Sequence, residues 1–243
     1  MTEAFVRSGS ARLWTATQGS GIPLLLCSGG PGCCDYLAPV AAMLDDLAFV
    51  VRFEARGCGR SDAATTYAVG GAVGDLEAIR EHYGIEHWVV GGHSWGPDLA
   101  LTYALEHPDR VLGLIGIAGG RIVNDRSWHE AYVYGRDHVG EVLPDMAYPF
   151  NDEVNRQLNA SWRSYIQSPS LLRQLSELEI PALFVYGSED IRPSWPTEQL
   201  GELLPQGRFE RIEGAAHLLW ATHAAELRAH LRAFVRELAA GGW

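Results

Sequence analysis

Serine, histidine and aspartate stand in this sequence where they could carry out nucleophilic acyl transfer. The segment Gly92-His93-Ser94-Trp95-Gly96 follows an apolar run at Trp88-Val89-Val90 and precedes a helix-like run from Leu99 to Leu105. Between a strand and a helix, Gly-x-Ser-x-Gly holds the serine on a sharp, strained turn. Glycines flank it because side chains there would collide with neighbouring backbone. The helix start brings N–H groups and the positive end of a dipole towards a developing oxyanion. A serine hydroxyl is a weak nucleophile and needs a base. All 19 basic residues are arginine, so a lysine base is excluded and histidine remains. His217 is well placed, in Gly214-Ala215-Ala216-His217 after the last strand-like run. His82, His87, His107, His129, His138, His223 and His230 lie in or beside helix-like segments. His93 adjoins the serine, on an elbow where neighbouring side chains point apart. The base needs an orienting carboxylate. Asp190, in Tyr186-Gly187-Ser188-Glu189-Asp190, follows the preceding strand-like run, with Glu189 its nearest rival. The expected catalytic set is Ser94, Asp190 and His217.

Two N–H groups are expected to hold the oxyanion. One belongs to Trp95, the other to Gly30 in the loop Ser28-Gly29-Gly30-Pro31-Gly32. A glycine loop can also cradle phosphate, but the chain has no lysine and Pro31 lacks an N–H. Gly57-Cys58-Gly59-Arg60-Ser61-Asp62 resembles part of a dinucleotide fingerprint, with Asp62 where a third glycine should fall. It reads as a loop-shaping turn. Trp128, Trp162 and Tyr165 are candidates for an aromatic substrate pocket, and equally for packing of the segment that carries them. With lysine absent, a cationic contact to substrate falls to arginine, and Arg163 beside Trp162 is a candidate.

Such a site must be positioned by strands that end next to one another. Strand-like runs occur at Phe5-Val6, Leu13-Trp14, Ile22–Cys27, Phe49–Phe53, Trp88–Val90, Val111–Ile117, Ala182–Tyr186 and Phe209–Ile212. Their continuous apolar character fits a sheet buried on both faces. Helical spacing links Leu76, Ile79 and Tyr83, and again Leu227, Leu231, Phe234, Val235 and Leu238. The Leu99–Leu105 segment is apolar nearly all round and is expected to be buried. The expected class is α/β, a mostly parallel sheet with helices on both faces and chemistry at the C-terminal strand ends. In residues 121–175 strand signals are weak and tryptophan and tyrosine are frequent, which reads as a short helical lid inserted into the core, with a pair of ordinary core helices as the alternative. The expected organisation is a core over 1–120 and 176–243 with a lid over 121–175.

The absence of lysine also excludes a Walker-A loop, a kinase ATP site, a pyridoxal-phosphate Schiff base and a Ser-Lys dyad. A net charge of −11 argues against nucleic-acid and anionic-membrane partners. The start of the chain shows no basic-then-apolar leader, and no apolar run reaches membrane-spanning length. Cys27, Cys33, Cys34 and Cys58 have neither metal nor disulfide spacing. They read as free thiols in a reducing cytoplasm. No cofactor or metal is expected; the partner is a small-molecule or short-peptide substrate.

Taken together, Ser28-Gly29-Gly30-Pro31-Gly32, Glu54-Ala55-Arg56-Gly57-Cys58-Gly59-Arg60-Ser61 and Gly92-His93-Ser94-Trp95-Gly96 resemble the α/β-hydrolase fold. The order Ser94, Asp190, His217 is the order of that fold. More narrowly, the motifs resemble the proline iminopeptidase family, with its His-Gly-Gly-Pro-Gly, Asp-Gln-Arg-Gly-x-Gly-x-Ser and Gly-x-Ser-Trp-Gly. The resemblance implies a Ser94-Asp190-His217 triad and release of N-terminal proline from small peptides. The chain departs from the family pattern at Ser28, at Glu54-Ala55 and at Pro97. It departs again in the lid, where Ile166 follows Trp162-Arg163-Ser164-Tyr165 and the family carries a glutamate that binds the substrate's amine. Glu130, Glu141, Asp145, Asp152 and Glu153 are the carboxylates that could substitute. The expected function is therefore a serine hydrolase cleaving a small ester or amide, with prolyl aminopeptidase as the alternative. A carbon–carbon bond hydrolase or lyase could use the same triad, and a non-catalytic binding protein could keep the fold.

Overall fold

In a computed structural model of the chain, residues 1–120, 122 and 149–241 are described. The strands are β1 (Thr2–Ser8), β2 (Ala11–Gln18), β3 (Ile22–Cys27), β4 (Ala48–Phe53), β5 (Trp88–His93), β6 (Val111–Ile117), β7 (Ala182–Gly187) and β8 (Gly207–Ile212). They form one sheet in the order β1-β2-β4-β3-β5-β6-β7-β8. β2 runs antiparallel to β1 and β4, and the pairings from β4 to β8 are parallel. This is the mostly parallel α/β sheet that the apolar runs predict. β5 and β7 are buried along their whole length. Because side chains alternate along a strand, Leu24, Leu26 and Val89 enter the core on one face while Leu25, Cys27 and Val90 enter the other. β8 is one of the two edge strands and carries Arg208, Glu210 and Arg211, charges that discourage pairing with another chain.

Among the described residues the α-helices are α1 (Ala38–Ala41), α2 (Val69–His82), α3 (Gly96–Glu106), α4 (Asp152–Tyr165), α5 (Leu171–Ser176), α6 (Trp195–Leu203), α7 (Leu219–Thr222) and α8 (Ala224–Ala239). α8 covers one face with Leu227, Leu231, Phe234 and Val235, the periodic set read from the sequence. α2, α3 and α4 contribute to the core on the other face. Every residue of α3 from Gly96 to Ala104 is buried, as its all-round apolarity predicts. α1 and α7 are too short to show a hydrophobic period, so the sequence did not announce them.

Of the segment proposed as a lid, residue 122 and residues 149–175 are described. α4 turns Val154, Leu158 and Trp162, spaced by four residues, into the core beside Trp95 and Leu99. Burying side chains of this size contributes about 1.5–3 kcal/mol each. Polar contacts fix the helix further. Ser161 Oγ accepts the Val69 N–H at 3.0 Å and Gln157 Oε1 accepts the Tyr67 N–H at 2.8 Å. These bonds serve the start of α2, whose own N-cap residue, Ala68, offers no side-chain acceptor. Asn155 Nδ2 donates to the Pro31 carbonyl at 2.7 Å, and the Asn151 N–H to the Gly32 carbonyl at 2.9 Å. Asn151 Nδ2 also donates to the Gly57 carbonyl at 2.7 Å. α4 is thereby fastened to both glycine-bearing loops.

Candidate active site

β5 delivers Ser94 at its C-terminal end, where the chain turns at once into α3. Ser94 has φ of 61°, a left-handed conformation that is strained for a residue with a side chain. The turn is held by the Ser94 N–H donating to the Ile117 carbonyl at 2.9 Å. The flanking glycines have a physical cause. A Cβ on Gly92 would stand 2.2 Å from the Cys27 carbonyl oxygen, and one on Gly96 would stand 2.1 Å from the same atom. The collision read from the motif is thus with the end of β3.

β7 and β8 deliver the other two residues. His217 Nδ1 donates to Asp190 Oδ2 at 2.6 Å. The two loops are stapled by the Glu189 N–H on the Ala215 carbonyl at 2.9 Å and the Gly214 N–H on Ser188 Oγ at 2.8 Å. Glu189 itself is exposed. The Asp190 side chain is fully buried, and its Oδ1 accepts the Arg192 N–H at 3.0 Å with Arg192 Nη1 at 3.4 Å. Burial alone would raise the Asp190 pKa, but His217 and Arg192 outweigh it and hold the carboxyl below its usual range. Burial lowers the His217 pKa; Asp190 opposes this and Arg192 adds to it, leaving the imidazole neutral near pH 7. Ser94 Oγ is not hydrogen-bonded to the His217 ring.

The glycine loop after β3 lies against the elbow. A Cβ on Gly29 would stand 2.8 Å from Ser94 Cβ. The Gly29 N–H donates to Tyr36 Oη at 2.7 Å, while the Gly30 N–H makes no hydrogen bond among the described residues. A cavity of about 20 Å3 borders this loop and Trp95, with Ser28, Phe53, Leu99 and Leu158 in its walls. A cleft of about 240 Å3, lined by Arg56, Tyr67 and Asp75 among others, shares Ala55 and Leu158 with it. The Gly57-Cys58-Gly59-Arg60 turn closes on Glu54, whose carboxylate accepts the Arg60 N–H at 2.5 Å and its guanidinium at 2.9 Å.

Trp162 has no exposed surface and stacks on Tyr165 with ring centroids 5.8 Å apart. Tyr165 is half-buried and packs against the core on the α3 side of the sheet. Trp128 lies outside the described residues, as do Glu130, Glu141 and Asp145. Asp152 and Glu153 lie on the exposed side of α4, with Glu153 paired to Arg156 at 2.6 Å. Arg163 is also exposed. Arg192, His93 and Tyr36 were not expected at the site. Arg192 and Tyr36 carry no motif, and His93 occupies a variable place within one.

Comparison with known proteins agrees with the fold. A family profile described as alpha/beta hydrolase fold matches residues 22–159. The chain is 38% identical to the proline iminopeptidase of Neisseria gonorrhoeae over 104 residues, covering 39% of this chain and 32% of that one. The matches thus span about a third of the length of the curated relatives. Among solved structures, the proline iminopeptidase of Mycobacterium smegmatis superposes with a TM-score of 0.81 at 20% identity, covering 100% of both chains. A thermophilic esterase from Thermogutta terrifontis superposes with a TM-score of 0.78 at 20% identity, covering 98% of this chain and 100% of that one. At that identity the two structures speak for the fold.

Proposed function

This chain belongs to the α/β-hydrolase fold family and is related to proline iminopeptidases, and on that premise we propose that it is a serine hydrolase acting on a small ester or amide. His217 takes the proton of Ser94 as the oxygen attacks the substrate carbonyl. The N–H groups of Trp95 and Gly30 receive the oxyanion. His217, now an imidazolium facing Asp190, returns its proton to the leaving group. Water then releases the acyl group by the same steps in reverse. The observation that carries this reading is the pairing of a neutral, buried His217 with Asp190 at 2.6 Å, on a loop that His93, the residue before the strained Ser94, meets through its ring at 2.9 Å. Residues 121–175 are proposed as an inserted helical lid, to which α4 belongs.

Among the described residues, the lid supports an uncharged acyl group. Ile166 is half-buried against the core, and Asp152 and Glu153, at the opposite end of α4, face outwards. A substrate ammonium buried there would lack a partner, which is costly. The relatives' name favours the alternative, prolyl aminopeptidase activity. Ser94→Ala is expected to abolish both hydrolysis and labelling by a fluorophosphonate probe; retention of either overturns the nucleophile assignment. A panel of short-chain nitrophenyl esters and a proline anilide decides between the substrates. Turnover of the anilide in preference to the esters would favour the aminopeptidase.

A further inference from the structure

Three loops of the proposed site converge on two side chains that the mechanism above does not use. Tyr36 Oη accepts the Gly29 N–H at 2.7 Å and lies 2.7 Å from His93 Nδ1. His93 Nε2 lies 2.9 Å from the backbone carbonyl oxygen of His217. A carbonyl oxygen can only accept, so Nε2 carries a proton. Burial drives the His93 pKa well below its ordinary value, so the ring is neutral and Nδ1 is bare. Tyr36 therefore donates to Nδ1. The rings are packed as well as bonded. His93 lies 4.4 Å from the His217 ring and 4.7 Å from Trp220, centroid to centroid. Gly29 is clamped between Tyr36 and the elbow: a Cβ there would stand 2.4 Å from Tyr36 Oη and 2.8 Å from Ser94 Cβ.

We propose that Tyr36 and His93 are positioning residues whose bonds, from Gly29 through Tyr36 and His93 to the His217 carbonyl, hold the glycine loop, the elbow and the base loop in register for acyl transfer. This rests on the serine-hydrolase reading. The three loops leave β3, β5 and β8, which are separate strands, so no local backbone pattern sets their spacing. Acyl transfer depends on that spacing to within a fraction of an ångström. Neutrality matters too. His217 becomes a cation during the reaction, and a second cation in the adjacent ring would oppose it.

Tyr36→Phe removes the hydroxyl and little else. It is expected to lower kcat about tenfold or more with KM changed less than about twofold. Tyr83→Phe, which removes a hydroxyl bonded to Thr15 Oγ1 at 2.7 Å away from the site, is expected to leave kcat unchanged. His93→Gln keeps a donor for the His217 carbonyl and loses the acceptor for Tyr36; His93→Asn does the reverse. Each should show the same loss of kcat. Tyr36→Phe combined with His93→Gln should be no worse than either alone, because both break one link. A second readout needs no turnover: the low-field NMR resonance of the His217 Nδ1 proton should shift in Tyr36→Phe. If the wild type neither labels with fluorophosphonate nor hydrolyses any ester or amide, the serine-hydrolase reading fails and this resonance alone decides the relay. An unmoved resonance in Tyr36→Phe, or a kcat equal to that of the wild type, overturns the proposal.

Discussion

Arg192 sits where a single charge can tune a base. Its N–H and guanidinium meet Asp190 Oδ1, while His217 holds Oδ2. Burial and then Arg192 depress the His217 pKa against the pull of Asp190. Removing the cation makes protonation of His217 easier, so its pKa rises. Arg192→Gln should therefore move the acid limb of the kcat/KM profile to higher pH. A limb that stays in place or moves to lower pH contradicts the assignment of His217 as the titrating base. At this scale much of the site was legible. Gly92, Ser94 and Gly96 announce themselves because a strained turn against the Cys27 carbonyl tolerates few residue types. Asp190 and His217 are candidates because each follows a strand-like run, and the structure brings the two together. Tyr36 and Arg192 were not, since one hydroxyl and one guanidinium among many carry no pattern of their own.

α4 shows how an element can serve a site that it does not itself supply with a nucleophile or base. Its apolar face holds it to the core, and its asparagines hold the loop that carries Gly30. The two functions should separate on mutation. Leu158→Ala leaves a cavity and should cost about 2–5 kcal/mol of stability by urea unfolding. Asn155→Ala loses one bond, worth about 1 kcal/mol. Because that bond ends on Pro31, beside Gly30, its loss should lower kcat more than Leu158→Ala does, when both are measured where the folded form dominates. The reverse order would mean that α4 does not position the loop. The sequence reading marked this region as an insertion on length and aromatic content. It assigned Trp162 and Tyr165 to pocket or packing alike, because an aromatic stripe looks the same in either setting.

For the molecule as a whole, burying His93 and His217 as neutral rings links folding to pH. Both have pKa values below the ordinary 6.5 in the folded chain. The unfolded chain binds protons that the folded chain refuses, so stability rises with pH and falls as pH drops below about 6.5, by up to about 1.4 kcal/mol per unit for each ring. Urea unfolding at pH 5 and pH 7.5 should show this, and His93→Gln should flatten the difference; equal stability at both pH values contradicts it. The sequence by itself determined the fold class and the residue types that could act, because strand runs, helical spacing and the Gly-x-Ser-x-Gly turn are local patterns. Lysine's absence narrowed the choice of base without any structure. Only the tertiary structure decided which groups meet. His93 touches His217, 124 positions away, and Tyr36 reaches both Gly29 and His93, through parallel strands that place distant loops side by side. Contacts of that kind depend on strand order and register, which no local spacing encodes.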